Sequence, residues 1–148
     1  VLDTNVVLDW LLFDDASMQA PCELLLAGGA CWIATEAMRD EALEVATRPA
    51  FAKRGSALDL RHRVAAGFAR HAKLQADLHS DGTAALALRC SDPDDQMFIE
   101  LALQHSAQLL LTRDLALLAL APAARARGLR IMRPKDFVAE ATATAHTP

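Results

Sequence analysis

Four carboxylates stand where the local pattern of the chain calls for another kind of side chain, and together they point to one chemistry. Glu41 falls on the apolar stripe made by Ala34, Ala37, Met38, Ala42 and Val45 at three- and four-residue spacing, while Glu36, Asp40 and Glu44 lie on the polar side. After Pro93, the residues Gln96, Glu100 and Gln104 form a polar stripe opposite Phe98, Ile99 and Ala102. At about 100° per residue, Asp95 points closest to the apolar side, with Asp94 second and Asp92 at the border. Asp3 and Asp114 each follow an apolar run, at the carboxyl end of a strand, where open parallel sheets bind ligands. Burying a lone carboxylate is costly, so an acid on an apolar face needs a partner. Four acids brought to one rim repel one another unless divalent cations offset the charge. Oxygen-only ligands suit Mg²⁺ or Mn²⁺ rather than zinc or copper. Two such ions ~3.5 to 4 Å apart can hold a phosphodiester for in-line attack by water. The competing reading is structural: Asp3, Asp92 and Asp114 are all placed to act as turn or N-cap aspartates.

The elements that must position these acids alternate between strand and helix. Val1-Leu2 reads as a strand running into the Asp-Thr-Asn turn, followed by a helix carrying Val6, Val7, Trp10 and Leu11. A second helix begins near Ser17 and stops at Gly28-Gly29, and Cys31-Trp32-Ile33 is a second strand. Thr35 caps a helix to about Ala46, and residues 56 to 74 form a longer one. Residues 84 to 90 fit either helix or strand. A helix from Asp92 to about His105 precedes the clearest strand, Gln108 to Thr112, whose unbroken leucines suit a strand covered on both faces. Helical turns over 114–127, a short strand at Leu129–Met132 and a helix over Pro134–Ala141 complete the series. The alternation predicts an α/β protein, a three-layer α/β/α sandwich with an open parallel sheet of about five strands. A single domain over residues 1–141 and a frayed tail over 142–148 are expected.

The 148 residues, 53% of them hydrophobic, can bury a core without disulfides. Charged residues make up 23%, and no stretch approaches the ~20 apolar residues that span a bilayer. Three widely spaced cysteines (Cys22, Cys31, Cys90) with no C-x-x-C pair read as buried thiols in a reducing compartment, and a cytoplasmic location is expected. The chain opens inside its first strand, so an upstream start is expected beyond Val1. The net charge of −4 hides a segregation: residues 1–47 hold nine acids and one base, and residues 90–112 hold four acids and no base. Residues 48–89 carry eight Lys/Arg against three acids, and residues 113–135 carry six against one, so each of these stretches is +5. Such basic blocks are either solvated helix faces or flanks that hold a phosphate backbone. No histidine is assigned a role, and Trp10 and Trp32 are expected in the core.

Val1-Leu2-Asp3-Thr4-Asn5, Glu41, Asp95-x-x-x-Ile99-x-x-Ala102 and Thr112-Arg113-Asp114 occur in an order that resembles PIN domains over most of the chain. The segment Asp92 to Asp95 resembles the Asp-Pro-x-Asp of bacterial PIN proteins that serve as toxin components of toxin-antitoxin systems. The resemblance implies a parallel sheet, Mg²⁺- or Mn²⁺-dependent cleavage of single-stranded RNA with one or two ions, a cognate antitoxin protein and homodimers. By position, Asp3, Glu41, Asp95 and Asp114 would be metal ligands, directly or through water, with Asp92 as a further choice for the third ligand. Asn5 and Thr112 would hold those carboxylates in place. Arg113 would contact RNA or serve as a surface ion-pair partner. Residues 53–90 match no motif.

Two other classes compete with a metal-dependent ribonuclease. One is a PIN-like module that docks RNA or protein without cutting; the presence of all four acids argues against it. The other is a phosphatase of the Asp-x-Asp type, in which Asn5 occupies the place of the general acid and removes that route.

Overall fold

The computed structural model describes residues 1–76 and 88–137. Two sets of residues are each compact: Thr4–Asp77, and Val1–Asp3 with Leu78–Pro148.

In the first unit, α1 (Thr4–Leu11) buries Val6, Val7 and Leu8. A 3₁₀ turn over Ala16–Met18, capped by Asp15 through the Ser17 amide at 2.9 Å, leads into α2 (Gln19–Leu26). Gly28, at φ +75°, takes the left-handed conformation that ends this helix. Strand β1 (Trp32–Thr35) follows. Thr35 then caps α3 (Glu36–Ala46), its hydroxyl accepting the Met38 amide at 3.2 Å. The buried stripe of α3 is Met38, Ala42, Leu43, Val45 and Ala46; Ala37, expected on it, is exposed, and Glu41 sits half-buried at its margin. Ser56 caps α4 (Ala57–His71), which packs on α1 and α3.

Helix α4 stops three residues before the expected Leu74. Ala72–Gln75 is strand β2, paired in parallel with β1 in the register Trp32 to Ala72 and Thr35 to Gln75. Helix-compatible residues become a strand here because the edge of β1 offers backbone hydrogen bonds that local periodicity does not reveal. Phe68, Trp32, Trp10 and His71 stack in that order, with ring centroids 4.6 to 5.7 Å apart, so both tryptophans belong to packing.

In the second unit, residues 1–3 pair in parallel with β3 (Leu109–Leu111). The Leu111 amide donates to Val1 (3.0 Å), and the Asp3 amide donates to Leu111 (3.1 Å). On the other edge of β3 lies β4 (Arg130–Met132), also parallel, and the pairing runs on through the Thr112 amide to Met132 at 3.0 Å. A 3₁₀ turn (Pro93–Asp95) opens α5 (Gln96–Gln104), which buries Phe98, Ile99, Leu101 and Ala102. Short helices α6 (Leu115–Leu118) and α7 (Ala121–Arg125) fill the connection from β3 to β4, and Gly128, at φ +79°, makes the turn into β4. Every described strand pairing is parallel, as the alternation predicts: four short strands plus the bridge at Leu2. Residues 134–137 begin a helix. The remainder of that helix, the tail over 142–148 and most of the ambiguous 84–90 segment lie outside the described residues; Leu88 to Cys90 has no regular structure.

Gly67 of α4 is buried where a Cβ would collide with the Leu11 side chain of α1. Gly67→Val is therefore expected to destabilise the protein by about 1–3 kcal/mol in urea unfolding, from overpacking that outweighs any gain over glycine in helix propensity.

Candidate active site

Asp3 leaves its strand with a side chain only 3% exposed, and its carboxylate accepts the hydroxyl proton of Thr112, a residue that is wholly buried at the end of β3. The same hydroxyl oxygen accepts the Asp114 amide at 3.0 Å. A threonine hydroxyl has one proton to give and two lone pairs to offer, so Thr112 ties the first acid to the backbone of the last. Asp114, half-buried, caps α6: its Oδ1 accepts the amides of Ala116 (2.8 Å) and Leu117 (3.2 Å), and Oδ2 takes no part in the cap.

The acids at the start of α5 divide by role. Asp92 is exposed and caps the 3₁₀ turn through the Asp94 amide at 3.0 Å, and Asp94 is also exposed. Asp95 is the half-buried one of the three and gives no side-chain cap to α5. In the other unit Glu41 is half-buried and accepts the hydroxyl of Thr4, the first residue of α1. Thr4, not the exposed Asn5, is the residue that holds Glu41. Arg113 is exposed.

Cys90 is a site residue that periodicity does not reveal. It is buried, and Gln96 at the first turn of α5 braces its backbone: the Cys90 amide donates to Gln96 Oε1 (2.7 Å), and Gln96 Nε2 donates to the Leu88 carbonyl (3.0 Å). Burial first, and then the negative charges of Asp95, Asp114 and Asp92, push its thiol above the ordinary range, while a hydrogen bond from the Asp92 backbone acts the other way. Three of the acids thus lie close enough to act on one sulfur. Cys22, half-buried, is pushed up to about 11, chiefly by burial and then by Asp14 and Glu23. Its neutral form is favoured in the fold, so that contribution is complete below about pH 9 and is lost as the pH climbs towards the raised value. Cys31, expected to be buried, is exposed: it precedes the first paired residue of β1 and remains in the turn after Gly28-Gly29.

The donors fit a hard divalent cation, because carboxylate and hydroxyl oxygens dominate and burial disfavours the thiolate of the one nearby sulfur. Among the described residues, no three of His, Cys, Asp and Glu are gathered closely enough to hold a metal ion as they stand. Asp3 and Glu41 accept hydroxyls, and Asp92 and Asp114 accept amides.

With this geometry in view, comparison with known proteins places the chain. It belongs to the PIN domain family, whose model matches residues 1–116. The fold is accordingly the PIN-like α/β fold, of a nuclease type, and the match includes Asp3, Glu41, Asp95 and Asp114. No curated protein and no solved structure matches the chain. No helix among the described residues is long and apolar enough to cross a membrane.

Two measurements check the site. Thr112→Val, which keeps the shape and removes the hydroxyl, should cost about 1–3 kcal/mol in urea unfolding, since it takes one hydrogen bond from a buried carboxylate and the acceptor from the Asp114 amide. In chelator, iodoacetamide should label exposed Cys31 ahead of Cys90. The pH at which Cys90 labelling reaches half its limiting rate should fall in Asp95→Asn and Asp114→Asn, because each removes a negative charge that disfavours the thiolate. An unchanged profile in both variants would place those acids away from the sulfur.

Proposed function

We propose that this chain is a Mg²⁺- or Mn²⁺-dependent endoribonuclease that hydrolyses phosphodiester bonds of single-stranded RNA, acting as the toxin of a toxin-antitoxin pair in the cytoplasm. Membership of a family whose members are typically nucleases supports the hydrolase class. The observation that carries the reading is the pair of hydroxyl–carboxylate contacts, one buried and one half-buried. Thr112 fixes Asp3, Thr4 fixes Glu41, and Asp3 and Thr4 are consecutive in the chain. A hydroxyl contact orients a carboxylate without neutralising it, which is what a cation ligand needs.

In this reading Asp3, Glu41, Asp95 and Asp114 hold one or two ions, with Asp92 at the exposed edge, and Thr112 and Thr4, the latter in the role expected of Asn5, orient the carboxylates. The ions would supply positive charge to the oxygens around phosphorus during in-line displacement. Water adds to phosphorus on one side as the bond to the leaving ribose oxygen breaks on the other. Thr112 keeps Asp3 from turning away, and Thr4 does the same for Glu41. Arg113 and the basic stretch 53–73 neutralise phosphates of the bound strand, so binding weakens steeply with salt. A cognate antitoxin would cover this acidic rim, and a homodimer would extend the basic flanks.

One observation favours the alternative of a PIN module that binds without cutting: no three ligating side chains are gathered among the described residues. Thermal melting separates the two. Millimolar Mn²⁺ should raise the midpoint of the wild type by several degrees and that of Asp3→Asn by much less, since only a ligand that prefers the folded state shifts stability. Purified protein should cut single-stranded RNA with Mn²⁺ and stop with chelator, and Asp3→Asn and Asp95→Asn should each lose at least about 100-fold in rate, on the scale of losing a group that supports the transition state. Full activity in both variants would end the ribonuclease reading.

A further inference from the structure

Beside the acids at the start of α5 is a cavity of about 250 Å³ lined by Arg89, Cys90, Pro93, Gln96 and Glu100. Pro93, Gln96 and Glu100 recur at three- and four-residue spacing along the 3₁₀ turn and α5, so one helix face makes one wall, and the segment at residues 89–90 makes the other. The polar groups of this cavity divide into those already committed and those that are not. Gln96 spends its amide on the Cys90 amide (2.7 Å) and the Leu88 carbonyl (3.0 Å), which fixes the distance between the two walls. Arg89 and Glu100 carry opposite charges on the same cavity. Yet among the described residues they form no ion pair with each other, and neither side chain enters a hydrogen bond.

A ligand suited to this arrangement offers two acceptors to the guanidinium and two donors to the carboxylate, within a flat body that fits between the face of Pro93, Gln96 and Glu100 and the segment at residues 89–90. Guanine meets that description. Its O6 and N7 accept from an arginine fork, and its N1–H and N2–H₂ donate to a carboxylate. Adenine offers only one acceptor and one donor on its Hoogsteen edge, and the pyrimidines lack the second ring. Unpaired bases of single-stranded RNA present both of these edges. We propose that this cavity is a base-recognition subsite that takes a guanine of single-stranded RNA, read by Arg89 and Glu100 and framed by Gln96. It deepens the ribonuclease reading by naming what the strand must carry next to the acids, and it rests on that reading for its placement on an RNA path.

The test reads binding in chelator, where no cleavage enters, using the full chain and labelled UUGUU, UUAUU and UUUUU, with GMP as a separate probe. The guanine pentamer should bind about tenfold more tightly than the other two, the discrimination that one bidentate base contact supplies. Glu100→Gln should erase that preference, with any gain from the lost negative charge shared equally by the three pentamers. Arg89→Gln should also erase it, with a uniform loss where its charge meets phosphate. Matching melting curves for wild type and variants show that the fold is kept, and Glu100→Asp should restore part of the preference. Equal binding of the three pentamers, or a guanine preference that survives both variants, overturns the subsite. So does binding of GMP without preference for UUGUU, which would make it a free-nucleotide site. Failure to cut RNA with Mn²⁺ while the preference persists would sink the ribonuclease reading and leave the subsite standing; indiscriminate cutting with indiscriminate binding would do the reverse.

Discussion

A carboxylate almost sealed from water at the end of the first paired segment has to be satisfied by whatever the neighbouring strand presents. In this protein that is the hydroxyl of Thr112. The register of the chain start on β3 follows from the same requirement. The backbone bonds between residues 1–3 and Leu111 bring Asp3 level with the strand end, so that the hydroxyl one residue beyond Leu111 can reach it. The Asp114 amide then lands on the same oxygen, and Asp114 is oriented in turn to cap α6. One hydroxyl therefore sets the geometry of two acids and of the turn that leads out of the strand. It does so without introducing a positive charge.

Glu41 repeats the device in the other unit, where the Thr4 hydroxyl stands in for the counter-ion that a half-buried acid would otherwise need. A hydroxyl partner orients a carboxylate without neutralising its charge. The start of α5 shows the complementary strategy. Asp92 is used up in turning the chain, while Asp95, one turn further into shelter, gives no cap and adds its charge to the field felt at Cys90. The net charge of −4 conceals basic stretches that alternate with these acids along the sequence.

How much of this was legible in sequence varied with the range of the interaction responsible. Thr35 as the cap of α3, the leucine strand before Thr112 and the helix after Pro93 all follow from neighbours within four residues, and they stand where periodicity puts them. The acids themselves were conspicuous because each broke a local pattern. The strand at Ala72–Gln75 was hidden, since its residues tolerate a helix and only the open edge of β1 makes them a strand. Cys90 and Gln96 gave no signal for a similar reason: their importance lies in bracing a backbone segment with no regular structure of its own.

The amino-acid order alone determined the alternation of elements, the parallel character of the pairing and the identity of the acids, because caps, breakers and apolar spacing act over a single turn or strand. Tertiary structure decided the partners. Which hydroxyl receives Asp3 and whether Glu41 is held by Thr4 or by Asn5 depend on segments far apart in the chain, and the cavity shared by Arg89 and Glu100 depends on how the segment before α5 folds back on that helix. Contacts of that kind are fixed by packing and desolvation, which the order of residues constrains only once the whole chain has closed.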